Sequence, residues 1–163
     1  GLIFALAGCS NMEPLKTVDE DNLADFMGDW YVNANIPTAI EKGAHNAIES
    51  YRIDDDGSIA TTFTYRDGSF DGKLKTNKPR GFVSDVSTAI WGMQFIWPIK
   101  ADYRIIYLDR DYYVTVIGRN KRDYVWIMAR EPAISEPRYT EILGLLESVG
   151  YDLGEIQQVP QKW

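Results

Sequence analysis

Between Trp30 and Glu131 the chain alternates short apolar and aromatic runs with clusters of Gly, Asp, Asn and Pro, and no stretch sustains a helical period. Eight extended segments are read there, at residues 30–36, 46–53, 58–66, 70–78 with a continuation through 82, 89–97, 103–108, 112–117 and 124–130. Asp54-Asp55-Asp56-Gly57 and Asp67-Gly68 separate successive segments, and Gly accepts the positive φ of a tight turn, so neighbouring segments pair antiparallel. Sequential strands joined by short turns form an up-and-down sheet, and closing that sheet removes both exposed edges. The expected fold is therefore all-β, an eight-stranded antiparallel up-and-down barrel of a size that holds one small ligand.

After the last strand the period changes. Tyr139, Ile142, Leu143, Leu146 and Val149 recur at helical spacing, which predicts one helix over about 136–149. Ser135 is placed to cap it, Pro137 is tolerated in its first turn, and Gly150 suits the left-handed stop. Its apolar stripe is expected to pack on the outside of the barrel. Alternation in the last strand puts Tyr124, Trp126, Met128 and Arg130 on one face and Val125, Ile127 and Ala129 on the other. The larger set is read as facing inward, leaving the smaller apolar set for the helix.

Composition sharpens this picture. The 163 residues include ten Tyr, six Phe and five Trp, more rings than a small packed core needs, which suits the wall of an apolar pocket. Phe63, Tyr65, Trp91, Met93, Phe95, Tyr103, Trp126 and Met128 are the expected ligand-lining residues. Lys100 and Arg104, with Lys73 as a weaker candidate, are the expected contacts for an anionic head group at the mouth. A net charge of −7 without a basic stripe argues against nucleic acid. Cys9 and His45 are the only cysteine and histidine, so no disulfide, Ser-His-Asp triad or Cys-His pair is expected in the domain, and neither is a metal site or cofactor. The acidic run Asp54 to Asp56 lacks the spacing of a calcium loop and reads as a solvated turn.

The N-terminal run Leu2-Ile3-Phe4-Ala5-Leu6-Ala7-Gly8-Cys9 narrows from large apolar residues to small ones before the cysteine. Leu6-Ala7-Gly8-Cys9 resembles a bacterial lipoprotein signal, in which the thiol carries a diacylglycerol. The resemblance implies residues 1–9 as the remnant of a signal peptide ending at lipidated Cys9, residues 10–18 as a tether, and residues 19–163 as the barrel domain.

Three motifs then appear in order. Gly28-Asp29-Trp30-Tyr31 follows the short turn Leu23-Ala24-Asp25-Phe26-Met27; Leu108-Asp109-Arg110-Asp111-Tyr112 lies between the sixth and seventh strands; Trp126-Ile127-Met128-Ala129-Arg130 ends the last strand. Together they resemble the lipocalin family. Glu41-Lys42-Gly43 and the spacing of Pro98, Tyr103, Ile106, Leu108 and Asp109 resemble its bacterial outer-membrane lipoprotein subgroup related to apolipoprotein D. The resemblance runs from about Asp19 to the C-terminus. It implies structural roles for Gly28, Trp30, Asp109, Tyr112 and Arg130, with Trp30 closing one end of the barrel and the Arg130 guanidinium lying on its indole. One departure is that Ala44 and His45 stand where relatives often carry a cysteine paired near the C-terminus.

The function implied is binding of a fatty acid, lysophospholipid or similar amphiphile inside the barrel, for storage or transport at the bacterial outer membrane, with the periplasmic side as the expected face. The alternative is a lipocalin-like enzyme acting on a lipid or isoprenoid substrate, which the absence of a visible convergent acid-base pair disfavours. A transmembrane barrel is a third class, disfavoured because most strands are shorter than the ~9–11 residues needed to cross. Pairing of two barrels into a homodimer is left open.

Overall fold

The computed structural model describes residues 12–19 and 21–163. Cys9 and the segment expected to be a signal remnant lie outside the described residues. A short helix α1 (Leu23–Phe26) leads into strand β1 (Gly28–Ile36), followed by β2 (Ala44–Ile53), β3 (Ile59–Asp67), β4 (Leu74–Asn77), β5 (Arg80–Val83), β6 (Ile90–Ile96), β7 (Ile99–Leu108), β8 (Val114–Gly118) and β9 (Val125–Ala129). Helix α2 (Glu136–Ser148) and a two-residue strand β10 (Gln157–Gln158) complete the chain.

Every ladder is antiparallel, most joining sequential neighbours, and β1 pairs with β9 to close the sheet. β4 and β5 both pair with β3, so they act as one stave interrupted at Lys78-Pro79. The result is a closed eight-strand antiparallel barrel with the main helix outside, and β10 adds a short ladder to β1.

Two local departures from the expected segments have clear causes. The fourth stave begins at Leu74 rather than Phe70, because residues 68–72 form a turn in which a Cβ on Gly72 would lie 1.9 Å from the Asp67 carbonyl oxygen. Pro79 then brings no backbone donor, and the stave resumes after it with β5. Strand β8 starts at Val114 because Tyr112, at φ +55°, belongs to the turn whose Asp109 carboxylate accepts from the amides of Tyr113 and Val114 at 2.6 and 3.2 Å.

The barrel walls separate two cores. Trp30, Val32, Tyr51, Trp91, Met93 and Met128 belong to the inner one. The outer one lies beneath α2, where Val125, Ile127 and Ala129 meet Ile142 and Leu146. Alternation explains the division: β9 is buried on both faces, the large side chains inward and the small ones under the helix. A register shift between Val32 and Ala34 inserts Asn33, so β1 turns Trp30 and Val32 inward but Ala34 and Ile36 outward. Ser135 caps α2 by accepting from Arg138 N at 3.4 Å, and Gly150 takes φ +100° just past its end.

Two terminal segments are tied to the barrel. Leu15 is buried in the outer core, its amide donates to Asn120 Oδ1 at 2.9 Å, and Val18 N donates to Ile105 O at 3.0 Å. Residues 12–18, within the expected tether, therefore run along the barrel wall. At the other terminus Asn46 exchanges side-chain bonds with Lys162 N and O at 2.7 and 2.9 Å, and Gln161 Nε2 donates to Val32 O and Ala47 O. This polar clamp sits beside Ala44 and His45, where the resemblance implied a disulfide in relatives. Among the described residues no helix is long and apolar enough to cross a membrane.

Candidate functional site

One end of the barrel is closed by polar chemistry. The Arg130 guanidinium lies 3.7 Å from the centre of the Trp30 ring. It donates to Asp29 O and Asp25 O at 2.9 Å, to Tyr112 O at 3.1 Å and to Phe26 O at 3.2 Å. Trp30 Nε1 also donates to Phe26 O at 2.9 Å. A planar fork suits this work because it stacks through its face while donating around its edge. Gly28 sits there at φ +96°, where a Cβ would come 3.3 Å from Arg130 Nη1. Tyr112 supplies its carbonyl to Arg130 and its hydroxyl to Asn22 N at 2.8 Å. Asp109 holds the adjoining turn and accepts from Arg138 on α2 at 3.2 Å.

The other end is open. There a cavity of about 290 Å³ lies between the loop 37–43, the β4–β5 junction at Asn77 and Pro79, and the far end of β6. Phe63, Phe95, Tyr103 and Trp126 of the expected lining residues form its wall. Tyr65 is placed beside it, its ring tilted against Phe63 at 5.3 Å and its hydroxyl donating to Ile40 O at 2.9 Å, so it fixes the loop over the mouth. Trp91, Met93 and Met128 are fully buried in the inner core instead of along the wall. Trp91 stacks on Tyr103 at 5.7 Å and meets Tyr51 edge-on at 5.3 Å. The hydroxyls of Tyr51 and Tyr103 are hydrogen-bonded to each other, and burial pushes both phenols well above their usual range.

The cavity also holds two carboxyls that the sequence reading did not select. Glu41 is fully engaged: Oε2 accepts from Thr38 N and Oγ1 at 2.9 Å, and Oε1 accepts from Trp126 Nε1 at 3.0 Å. Glu49 is 6% exposed, and no hydrogen bond reaches its carboxyl among the described residues. Burial, reinforced by the charge of Glu41, holds the Glu49 carboxyl well above the usual carboxylate range. The signal that could have found it is parity in β2, where Ala47, Glu49 and Tyr51 share the buried face.

Neither Lys100 nor Arg104 reaches this site, contrary to expectation. Tyr103 points inward, so Lys100, Asp102 and Arg104 share the opposite, outer face of β7. The Lys100 ammonium lies 3.9 Å over the Phe82 ring, and Arg104 Nε donates to Asp102 Oδ1 at 2.9 Å. Lys73 is exposed in the turn ahead of β4. Among the described residues no lysine, arginine or histidine lines the cavity.

Residues 21–161 match the family model of the lipocalin-like domain. The chain is a lipocalin. It is 29% identical to the outer membrane lipoprotein Blc of Citrobacter freundii over 161 residues, which cover 97% of this chain and 91% of that protein. It is 28% identical to apolipoprotein D of Mus musculus over 172 residues, covering 99% and 86% of the two chains. Among solved structures, lobster apocrustacyanin A1 superposes with a TM-score of 0.67 at 15% identity, covering 92% of this lipocalin and 91% of that chain. The relationship is therefore to the Blc and apolipoprotein D branch, and the cavity of this lipocalin has the size and walls that suit a small hydrophobic ligand.

Proposed function

We propose that this lipocalin carries a fatty acid, lysophospholipid or similar amphiphile in its barrel, storing or transporting it at the bacterial outer membrane. The observation that carries the reading is the ring-walled cavity at the open end, set beside an exposed apolar hairpin. Ile96, Trp97 and Ile99 at the β6–β7 tip are 73%, 81% and 67% exposed, and neighbouring Phe95 reaches into the cavity wall. Large apolar side chains gathered at a rim suit contact with a lipid surface, where an indole prefers the interface.

The anchor belongs to the same proposal. Leu15 docks against Asn120, in the turn between β8 and β9 at the open end, so the chain ahead of it starts from the side of the mouth. A diacylglycerol on Cys9 would hold the mouth toward the membrane. The name of the Citrobacter relative, an outer membrane lipoprotein, supports this location. Binding needs no chemical step, and the reading is that of a carrier rather than an enzyme.

Native mass spectrometry of the purified protein, followed by titration of the delipidated protein with palmitate and a lysophospholipid, tests the proposal. A co-purified amphiphile or saturable one-to-one binding is expected. Absence of both would overturn it.

A further inference from the structure

Glu49 is 6% exposed, accepts no hydrogen bond from the described residues, and faces a cavity that no basic side chain among them lines. An unpaired buried polar group is costly, and the cost is relieved by whatever supplies its missing partner. The other carboxyl at the site cannot use a ligand in the same way, because Thr38 and Trp126 already donate to both oxygens of Glu41. Around Glu49 stand Phe63, Tyr103 and Trp126, whose ring faces attract a positive charge. Glu49 pairs in register with Phe63 across β2 and β3, which places carboxyl and ring on the same stretch of wall. An anionic head group brought to this point would meet the charge of Glu41 and no basic side chain among the described residues, whereas an ammonium supplies the charge partner that Glu49 lacks there.

Building on the carrier reading above, we propose that Glu49 is a specificity-determining residue: it makes the cavity favour an amphiphile bearing an ammonium group, seated against Glu49, over the carboxylate-headed analogue of equal chain length. The incoming ammonium takes the place of the proton that burial keeps on Glu49, that proton leaves to solvent, and the ammonium donates to the carboxylate so formed while the hydrocarbon chain extends toward Phe95 at the mouth. Fatty acids entering the same cavity must keep the carboxylate at the rim, with the tail inward. The selectivity thus follows from the one acidic side chain of the cavity that accepts no hydrogen bond from the described residues.

The test is titration of delipidated protein with dodecylamine, dodecanol and dodecanoate, below their micellar concentrations, followed by intrinsic fluorescence, in the natural protein, Glu49→Gln and Glu49→Asp. The natural protein is expected to bind the amine about tenfold or more tightly than the carboxylate, the scale of one charge-assisted hydrogen bond. Glu49→Gln should reduce that preference to about twofold or less, with Glu49→Asp retaining part of it. Dodecanol, which donates without charge, should fall between the other two. Thermal melts of the variants confirm that each is folded. Equal affinities in the natural protein, or an undiminished preference in folded Glu49→Gln, would overturn the Glu49 assignment while leaving the carrier reading intact. Failure of all three probes and of palmitate and lysophospholipid to bind would overturn the carrier reading itself.

Discussion

The two ends of the barrel each set a chargeable side chain against aromatic rings, Arg130 half-buried and Glu49 buried, and they treat it in opposite ways. At the closed end the Arg130 guanidinium stacks on Trp30 and donates to four backbone carbonyls. At the open end the Glu49 carboxyl is more deeply buried than Arg130 and accepts no hydrogen bond from the described residues. A satisfied buried charge specifies structure, because its partners are already in place. An unsatisfied one is costly to the empty protein and leaves binding capacity for something else. The contrast separates the residues that identify the fold from those to which ligand binding is assigned in the proposal above, although both sets are aromatic and polar.

The largest effect is expected from breaking the closed end. Arg130→Ala leaves several carbonyls without donors and uncovers Trp30, so urea denaturation should show a loss of about 3 kcal/mol. Arg130→Lys keeps the charge but not the fork, and should recover less than half of that loss.

The open end should respond with the opposite sign. The Glu49 pKa is raised in the folded state, so the folded chain retains a proton that the unfolded chain has released. Its contribution to stability is therefore fully present below the unfolded carboxyl range and is lost as pH rises through the folded pKa. Glu49→Gln removes this titration, and melts across the range should show the variant gaining on the natural protein as pH rises, by roughly 1–2 kcal/mol at the alkaline side.

A smaller loss, about 1 kcal/mol, is expected when Asn46→Ala removes the clamp on the C-terminal residues. Asn46 also adopts φ +51°, which Asn tolerates better than Ala. Faster proteolysis of the terminal residues in this variant would show that the clamp stands in for a covalent staple. The smallest effects belong to the outer face of β7: Lys100→Ala and Arg104→Ala should leave ligand affinity within about twofold, as their charges never reach the cavity.

The closed end and the architecture were legible in the sequence. Gly28, Trp30 and Arg130 are residues whose chemistry admits few alternatives, and the Asp-Gly turns and the helical spacing after Ser135 mark the element boundaries. The inward face of β9 was also readable, since Trp126 and Met128 differ in size from Ile127 and Ala129. The open end was less so. Tyr103 and Arg104 are adjacent in one strand and cannot both face the cavity, so naming both as contacts ignored the period of two. Glu49 escaped because a glutamate in a strand of mixed polarity reads as a surface residue; Ala47 and Tyr51, two positions to either side, mark its face as the buried one. The bulge at Asn33 reverses β1 midway, and no local pattern announces it. The shape of the cavity depends on such long-range registers.

The most direct test of the central claim, that an amphiphile occupies the open-end cavity, uses a chain-brominated fatty acid as a quencher of Trp126, which lines that cavity. Titration of the delipidated protein should quench fluorescence saturably at one equivalent, and Trp126→Phe should lose most of the quenched component while retaining binding. Quenching that never saturates, or that survives unchanged in Trp126→Phe, would contradict the account.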